Sequence, residues 1–288
     1  NGNSDGPLVN LGWEPQMLLF KRASNTEDWL LFDTIRGMAV GGNERHLKPN
    51  TNSVEGGTDW FEVTSRGFKV QESGNQINAN SETIIYIAIR RPDGDVGKPV
   101  EAGTESFAMD TGSSSSTIPN FDSPFPVDFQ ISKIDVVSGT GNWYSGTRLT
   151  GKEYMHPNTA VAISDSNNWV WDSNVGWQNG GGSWPSTSYS WMWKRGAGFD
   201  VIAYTGNGAV IREMPHSLGR VPEMVWVKSR GSAYDWFVYH KGLNGGTNPE
   251  QYKLNLNSVS AQSSAGITLW RDTVPDKNSF TIGNMAEV

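Results

Sequence analysis

Apolar residues along the chain occur in short runs separated by Gly, Pro, Asn and Ser. Runs such as FDVIAY, MVWVK, WFVYH, YKLNL and SFTIG are rich in β-branched and aromatic residues, and such runs are typical of β-strands joined by turns. No stretch long enough to form an amphipathic helix carries apolar residues at the i, i+3, i+4, i+7 spacing. The pattern therefore predicts an all-β protein.

The same pattern also occurs more than once along the chain. Two distant segments share a proline, a methionine, a lysine, an acid-Trp pair and an asparagine at identical spacing: Pro15, Met17, Lys21, Asp28-Trp29 and Asn50 match Pro222, Met224, Lys228, Asp235-Trp236 and Asn257. A more divergent copy lies between them and is marked by Phe129, Lys133, Asn142-Trp143 and Asn158. Three copies of one unit indicate a modular architecture.

Each full copy spans roughly 90 to 100 residues and carries six or seven short strands. Because so many strands must bury one face against a second sheet, we predict three tandem β-sandwich modules. Their expected boundaries are 1–92, 93–195 and 196–288, with the Gly/Pro/Asp-rich stretch 93–103 as a linker. A three-bladed propeller is the alternative, although propellers usually have about four to eight blades.

The copies differ at the two ends of the sequence. The segment GFDVIAYTGNG, residues 198–208, has no full counterpart before the first copy, and TIIYIAIRR, residues 83–91, has none after the third. The first module is therefore expected to lack its first strand and the third module its last. Either the sequence is cut at both ends, or neighbouring subunits supply the strands.

Residues that recur in all copies are expected to support the scaffold. The tryptophans Trp29, Trp143 and Trp236 are predicted to anchor a turn to the core. The lysines Lys21, Lys133 and Lys228 are predicted to lie along the surface or form ion pairs. The asparagines Asn50, Asn158 and Asn257 are predicted to cap turns. Tyr189, Trp191 and Trp193 alternate and so share one strand face. Because their counterparts are Ile85, Ile87 and Ile89, we expect that face to lie in the core rather than to bind sugars.

Aromatic residues that the copies do not share are the candidates for ligand binding. Trp13, in LGW, corresponds to Arg220 in LGR, so its turn is expected to be exposed. Trp177, Asn179 and Trp184 belong to WQNGGGSW, a loop found only in the second copy. Exposed tryptophans beside amides bind neutral sugars by stacking and hydrogen bonding. The alternative is that these aromatics fold back onto their module or pack against a partner subunit.

Composition and charge exclude several partners. The chain has no Cys and a formal net charge of −7, with no run of basic residues, which argues against nucleic acid as a partner. Its longest apolar runs, MLLF and IIYIAI, are strand-length, so membrane insertion is not expected.

Signals of catalysis are weak. The four histidines occupy unrelated positions in the repeat, and no HExxH or GxSxG pattern is present. Asp93-Gly94-Asp95 has the composition of a calcium loop but lacks the rest of that motif. We therefore expect no catalytic residues, no metal and no cofactor, and predict that the protein is not an enzyme.

The repeats also resemble a known module. The segments GFDVIAYTGNG, LGRVPEMVWVKSR, DWFVYHKG and SFTIGN resemble a repeated module of unknown function in tail fibre-like and other structural proteins of marine bacteriophages. LGWEPQMLLFKR, DWLLFDTIRG and TRLTGKEYMHPNTA look like other variants of that module. The resemblance covers nearly the whole chain and implies a non-enzymatic virion component. It brings no established catalytic or binding residues with it.

We therefore expect a phage tail fibre or surface fibre that attaches to the host surface through many weak glycan contacts. The expected partners are other virion proteins and copies of the chain itself, as a homo-oligomer and most simply a trimer. The expected location is the virion or otherwise the extracellular space. The alternatives are a purely structural subunit (capsid fibre, tail collar or extracellular filament) and a carbohydrate-binding lectin or hydrolase.

Overall fold

A computed structural model describes residues 2–3, 5–38, 43–72, 74, 76–90, 103–134, 141–178, 184–196, 198–286 and 288. Within these ranges every regular element is a β-strand or a short 3-10 turn, and every strand pair is antiparallel. The prediction of an all-β protein is confirmed. The predicted linker lies outside the described residues except for Gly103, and so does Asp93-Gly94-Asp95.

The first region, residues 2–90, contains a five-stranded and a three-stranded sheet. Its strands are β1 (Leu8–Asn10), β2 (Pro15–Arg22), β3 (Leu30–Asp33), β4 (Glu44–Leu47), β5 (Gly56–Thr58), β6 (Phe61–Thr64), β7 (Gly67–Val70) and β8 (Ile84–Arg90). The sheet orders are β5-β4-β3-β2-β8 and β1-β7-β6. Leu18, Phe20 and Phe32 of the larger sheet are buried in one cluster with Phe61 and Phe68 of the smaller sheet.

The second region, residues 103–196, begins with a 3-10 turn at Gly103–Glu105 and has another at Arg148–Thr150. Its strands are β9 (Phe107–Thr111), β10 (Phe121–Asp122), β11 (Phe129–Ile134), β12 (Trp143–Thr147), β13 (Glu153–Tyr154), β14 (Ser164–Asp165), β15 (Gly176–Trp177) and β16 (Ser188–Trp193). They form the sheets β12-β11-β16-β9, β10-β15 and β13-β14. The core is built mainly from aromatic side chains: Phe121, Phe125, Trp169, Trp171, Trp177 and Trp184, with Val127 and Met192.

The third region, residues 198–288, has 3-10 turns at Leu243–Gly246 and Pro249–Gln251. Its strands are β17 (Arg212–Pro215), β18 (Met224–Val227), β19 (Phe237–His240), β20 (Tyr252–Asn255), β21 (Ser263–Ser264) and β22 (Ser279–Ile282). They form the sheets β18-β19-β20-β21 and β17-β22. Phe237 and Tyr239 pack in one cluster with Leu269, Trp270 and Phe280.

Two glycines fix close strand approaches in the first and second regions. Gly67 begins β7 at φ +154°, and a Cβ there would lie 1.9 Å from the carbonyl oxygen of Val9. Gly176 begins β15 at φ +148°, and its Cβ would lie 2.1 Å from the carbonyl oxygen of Phe121. Any other residue would force the partner strand away, since real Cβ atoms do not approach this closely. The aromatic residue that follows each glycine is thereby directed into the core.

Candidate interaction surface

The repeated asparagines make the same pair of hydrogen bonds in all three regions. Each side-chain oxygen accepts from a tryptophan backbone N–H, and each side-chain amide donates to the residue before that tryptophan. The oxygen contacts are Asn50 to Trp29 at 2.9 Å, Asn158 to Trp143 at 3.0 Å and Asn257 to Trp236 at 2.9 Å. The amide contacts are Asn50 to Asp28 at 2.9 Å, Asn158 to Asn142 at 3.1 Å and Asn257 to Asp235 at 2.8 Å. The asparagines act through their side-chain amides, but they bridge two distant loops, so the prediction that they cap a turn is wrong.

The repeated lysines fix the loop that follows their strand. Lys21 Nζ donates to the carbonyl oxygens of Arg22 at 2.9 Å and Glu27 at 2.8 Å. Lys133 Nζ donates to the carbonyl oxygen of Gly141, and Lys228 Nζ to those of Ser229 at 2.8 Å and Ser232 at 3.1 Å. The repeated lysines therefore stabilise the loops that follow their strands. Differences between the three regions are found on the sheet faces.

The repeated tryptophans do not share one environment. Trp236 is 4% exposed and donates its indole N–H to the carbonyl oxygen of His156 at 3.0 Å. Trp29 is half-buried, and Trp143 is 38% exposed. The prediction of a common core anchor is therefore wrong for Trp143, which packs on the outer side of its sheet against Trp191 at 5.4 Å between ring centroids.

The aromatic face of β16 points outward, contrary to the expectation of a core face. Tyr189 is 41% exposed, and Trp191 and Trp193 are half-buried, whereas Ser188, Ser190 and Met192 on the opposite face are buried. The serines are inside because large indoles fill that space. One of these indoles, Trp177, donates its N–H to Ser190 Oγ at 3.0 Å.

The matching strand of the first region also turns its large apolar residues outward. Ile85, Ile87 and Ile89 on β8 are 48%, 55% and 50% exposed. They lie opposite Lys21, Leu19 and Met17 of β2. The expectation that this face lies in the core is therefore wrong for both strands. The three half-exposed isoleucines alternate along β8 and form an apolar stripe on one face of the strand.

Two of the predicted ligand-binding residues lie in the core. Trp177 is 0% and Trp184 is 5% exposed, and Trp177 packs against Trp169 and Trp171 at 4.9 and 5.1 Å between ring centroids. Their expected exposure is wrong, since neither can offer a ring face to a sugar. Asn179 lies outside the described residues. Trp13 lies in the turn between β1 and β2 and is half-buried, so the structure does not bring it together with the two core tryptophans.

The position of Trp177 follows from a repeated strand pair. In the three regions, β1 pairs with β7, β10 with β15 and β17 with β22. These ladders include the pairs Val9 with Phe68, Phe121 with Trp177 and Met214 with Phe280. Gly176-Trp177 thus stands where Gly67-Phe68 stands in the first region. This Gly-aromatic match was the signal in the sequence that Trp177 belongs to the core.

A polar cleft of about 920 Å³ lies between the first and second regions. Its walls carry paired charges, including Arg36 with Glu55 at 3.6 Å and Lys152 with Asp165 at 2.7 Å. Trp169 and Trp171 border it but are only 4% and 3% exposed. The cleft therefore offers charged groups rather than a stacking platform.

Arg148 joins the first two regions from a fully buried position. Its guanidinium donates to the carbonyl oxygens of Thr34 at 3.0 Å and Ile35 at 2.9 Å in the first region. It also donates to those of Val127 at 3.0 Å and Trp171 in the second region. Burial lowers the pKa of Arg148 to about 10, so it remains charged at neutral pH. Such a cation fixes the junction because it satisfies carbonyl groups on both sides.

A second buried arginine reinforces the same junction. Arg195 forms ion pairs with Glu14 at 2.5 Å and with Asp128 at 3.5 Å. Burial opposes its charge, but the two carboxylates raise the pKa of Arg195 above its usual range. The acids come from both regions, so this cluster again bridges them.

The second and third regions meet through different contacts. Arg230 pairs with Glu153, Ile163 N–H donates to the carbonyl oxygen of Arg230 at 2.9 Å, and Trp236 donates to His156 as described above. These contacts use loops, and Phe199 of the third region also stacks on Trp193 of β16 at 5.8 Å between ring centroids, so the end of the outer face of β16 takes part in this junction.

One buried acid lies beneath the first region's sheet. Glu44 is fully buried on β4, and its Oε2 accepts from the Trp60 backbone N–H at 2.7 Å. Burial raises the pKa of Glu44 to about 9. Its neighbour His46 packs against Trp60 at 4.7 Å between ring centroids, and burial lowers the pKa of His46. Both groups are therefore uncharged at neutral pH.

In the part of the chain that the structure describes, no group of three or more His, Cys, Asp or Glu residues could hold a metal ion. No helix in the same residues is long and apolar enough to cross a membrane.

Comparison with known proteins gives one match. The family described as a domain of unknown function, DUF7483, matches residues 1–91 and 137–288. No curated protein and no solved structure is significantly similar to the chain. Since the two matched stretches cover most of the sequence, the chain belongs to the DUF7483 family.

Proposed function

We propose that the chain is a non-enzymatic component of a phage virion, a tail fibre or surface fibre that attaches to the host surface. In this proposal it consists of three tandem β modules, residues 1–92, 93–195 and 196–288. The observation that carries the modular part is the asparagine bridge, which recurs with the same two bonds at Asn50, Asn158 and Asn257. The phage assignment rests on the sequence resemblance.

The outward apolar faces favour association between copies of the chain. Each half-exposed side chain of this size leaves on the order of 100 Å² accessible. The contributing residues are Ile85, Ile87, Ile89, Met109, Trp143, Tyr189, Met224 and Trp226. No single region exceeds the patch size common on monomers, but the outward residues of β8 and β18 would supply part of the roughly 800 Å² per partner of a standard interface. A homo-oligomer about a shared axis, most simply a trimer, would cover those residues and leave the aromatic face of β16 open.

Host attachment would then use many weak contacts. With Trp177 and Trp184 buried, the aromatic surfaces proposed to meet host glycans are Trp13 and the outer face of β16 around Tyr189 and Trp191. Aromatic rings there can stack on sugars at little entropic cost. The aliphatic stripe of β8 cannot stack in this way and favours the second candidate function, a purely structural subunit of a capsid fibre, tail collar or extracellular filament.

Two measurements test the proposal. Sedimentation gives the mass in solution, and a pull-down with envelope fractions from a panel of marine bacteria gives attachment. We expect a trimer that binds at least one fraction, with weaker binding for Tyr189→Ala and unchanged binding for Val259→Ala, a fully exposed control. A trimer that binds no fraction would favour the structural subunit. A monomer that binds no fraction would overturn both functions.

A further inference from the structure

A second cleft, of about 450 Å³, lies at one end of the larger sheet of the third region. It is bounded by the loop before β18, the end of β19 and the 3-10 turns before β20. Much of its wall is aliphatic and comes from Val221, Pro222, Pro249 and Val274. Val221 and Val274 are each 53% exposed, so the cleft opens to solvent. Its volume is sufficient for a small ligand, since ligand pockets commonly have about 300 to 1,000 Å³.

One acid in this cleft is buried without a partner. Glu250, in the 3-10 turn Pro249–Gln251, is 7% exposed. Its Oε2 is shielded from solvent and accepts no hydrogen bond from any described residue. Lys241, the cation that lines the cleft, pairs with Glu223 instead. A buried carboxylate is unfavourable unless a donor or a cation compensates it, so this oxygen indicates a ligand group that no described residue supplies.

A tyrosine lies beside this carboxylate. Tyr239 lines the cleft and is 2% exposed. Burial raises the pKa of Tyr239, and the negative charge of Glu250 raises it further, so the phenol keeps its proton at neutral pH. A phenol hydroxyl can accept a hydrogen bond as well as donate one. An incoming donor therefore meets two acceptors, the carboxylate and the hydroxyl.

Both polar groups are specific to the third region when it is compared with the first. By the repeat proposed above, Tyr239 stands where the first region has Phe32, and Glu250 stands where it has Asn43. The sheets agree with this match, since Phe32 and Tyr239 pair with equivalent positions of β2 and β18. The first region forms the same strands without the hydroxyl and the carboxylate, which points to a role for them other than folding.

We infer that this cleft binds an alkylammonium group, a positively charged amine on an aliphatic stem such as a lysine side chain carries. The ammonium group donates hydrogen bonds to the Glu250 carboxylate and the Tyr239 hydroxyl. The aliphatic stem lies against Val221, Pro222 and Val274. A charged hydrogen bond supplies specificity and the apolar wall supplies contact area.

The charges of the cleft disfavour the other small ligands. Its lining residues include two acids, Glu223 and Glu250, and one lysine, Lys241, so its net charge is negative and an anion is repelled. A metal ion is not expected either, because no group of three or more His, Cys, Asp or Glu residues in the described part of the chain could hold one.

Isothermal titration calorimetry of the purified chain with n-butylammonium chloride tests the inference. We expect saturable binding, and we expect neutral 1-butanol and anionic butyrate to bind at least about tenfold more weakly. Glu250→Gln keeps the shape of the side chain and removes its charge, so butylammonium is expected to bind this variant at least about tenfold more weakly. Glu213→Gln removes the same charge at an exposed position outside the cleft and is expected to bind like the native chain.

Two further measurements locate the ligand. Tyr239→Phe restores the residue type of the first region and is expected to weaken binding less than Glu250→Gln, since it removes a hydrogen bond but no charge. In methyl NMR spectra, the signals of Val221 and Val274 are expected to shift when butylammonium is added. The signals of Val259, which is fully exposed outside the cleft, are expected to stay in place.

Glucosamine hydrochloride distinguishes the two sources of such an amine. Tighter binding of butylammonium supports a lysine-like stem, whereas tighter binding of glucosamine would overturn the aliphatic stem and assign the site to an amino sugar. Equal binding of butylammonium and 1-butanol would overturn the inference, and this comparison needs only the native protein should Glu250→Gln fail to fold. So would equal binding by the native chain and a folded Glu250→Gln protein, or no saturable binding in the millimolar range. The inference does not depend on host attachment, because these measurements use small molecules and the isolated protein.

Discussion

Trp177 and Phe121 face each other across the β10-β15 pair, with ring planes 13° apart and centroids 5.6 Å apart. The same ladder position joins Val9 to Phe68 in the first region and Met214 to Phe280 in the third. The second region thus has an indole where the others have a phenyl ring. The wider ring is accommodated because Ser190 provides a small side chain and an acceptor for the indole N–H.

Replacing Trp177 tests this relationship. Trp177→Ala is expected to lower the free energy of unfolding by about 3 to 5 kcal/mol, as is usual when a large core aromatic is removed. Trp177→Phe restores the residue type of the other regions and is expected to cost less, since it loses volume and one hydrogen bond. Denaturant unfolding measures both, with Val259→Ala as a surface control. A Trp177→Ala protein as stable as the control would contradict a core position.

The strand pattern alone predicted the fold class but not which face of β16 lies inside. Alternation places Tyr189, Trp191 and Trp193 on one face and Ser188, Ser190 and Met192 on the other, and hydrophobicity favours burying the aromatic face. The structure buries the serines because Trp177 and Trp184 occupy the space beneath them. Those tryptophans lie outside the strand, so no local pattern in β16 reports them. Which of the two faces of a strand is buried depends on tertiary packing.

The asparagine bridges were easier to anticipate, since Asn50 and Asn257 follow Trp29 and Trp236 at the same spacing and Asn158 lies in a similar Pro-Asn-Thr segment. They also provide a matched experiment. Asn257→Asp is expected to destabilise the protein by about 1 to 3 kcal/mol at pH 7, because the new carboxylate faces Asp235 in place of a donor. Asn158→Asp faces Asn142 instead, whose amide can donate, so a smaller loss is expected.

The pH dependence of the two aspartate variants distinguishes charge repulsion from simple loss of a bond. The loss of stability in Asn257→Asp is expected to shrink between pH 7 and pH 4, as the carboxyl introduced at position 257 becomes protonated. Thermal unfolding at both pH values gives the comparison. Equal and pH-independent losses in the two variants would show that the facing acid plays no part.

Glu44 predicts a different pH dependence. The folded protein keeps this carboxyl protonated up to about pH 9, whereas in the unfolded chain it ionises near pH 4.5. The folded state therefore binds more protons between these values, and its stability falls as pH rises through that window. The slope from one such group approaches about 1.4 kcal/mol per pH unit. Glu44→Gln removes this ionisation. The free energy of unfolding of the variant is therefore expected to rise relative to that of the native chain from pH 5 to pH 8. A constant difference in unfolding free energy over that range would contradict the assignment.

Any replacement of Arg148 that lacks its planar guanidinium is expected to lower the free energy of unfolding. Arg148→Met leaves the carbonyl groups of Thr34, Ile35 and Val127 without their donor, and a loss of about 3 to 5 kcal/mol is typical when such a buried network is broken. Arg148→Lys keeps the charge but has a single donor group and is expected to recover only part of that loss. Denaturant unfolding measures both losses against the native chain, with Val259→Ala as the surface control. An Arg148→Lys protein as stable as the native chain would show that a positive charge alone is enough to hold the junction.

The outward stripe of β8 gives the last prediction, which concerns association. Ile87 is 55% exposed and lies between Ile85 and Ile89 on that face, so Ile87→Lys places a charge at the centre of the proposed contact between copies. We expect the variant to sediment as a monomer where the native chain forms an oligomer, because a buried unpaired charge costs several kcal/mol at an interface. Its thermal unfolding as a monomer should be little changed, since position 87 does not face the core. Val259→Lys adds the same charge at an isolated exposed residue and is expected to leave the oligomer intact. An Ile87→Lys protein that keeps the native mass would show that this face is free in the assembly, and association would then have to use the aromatic face of β16.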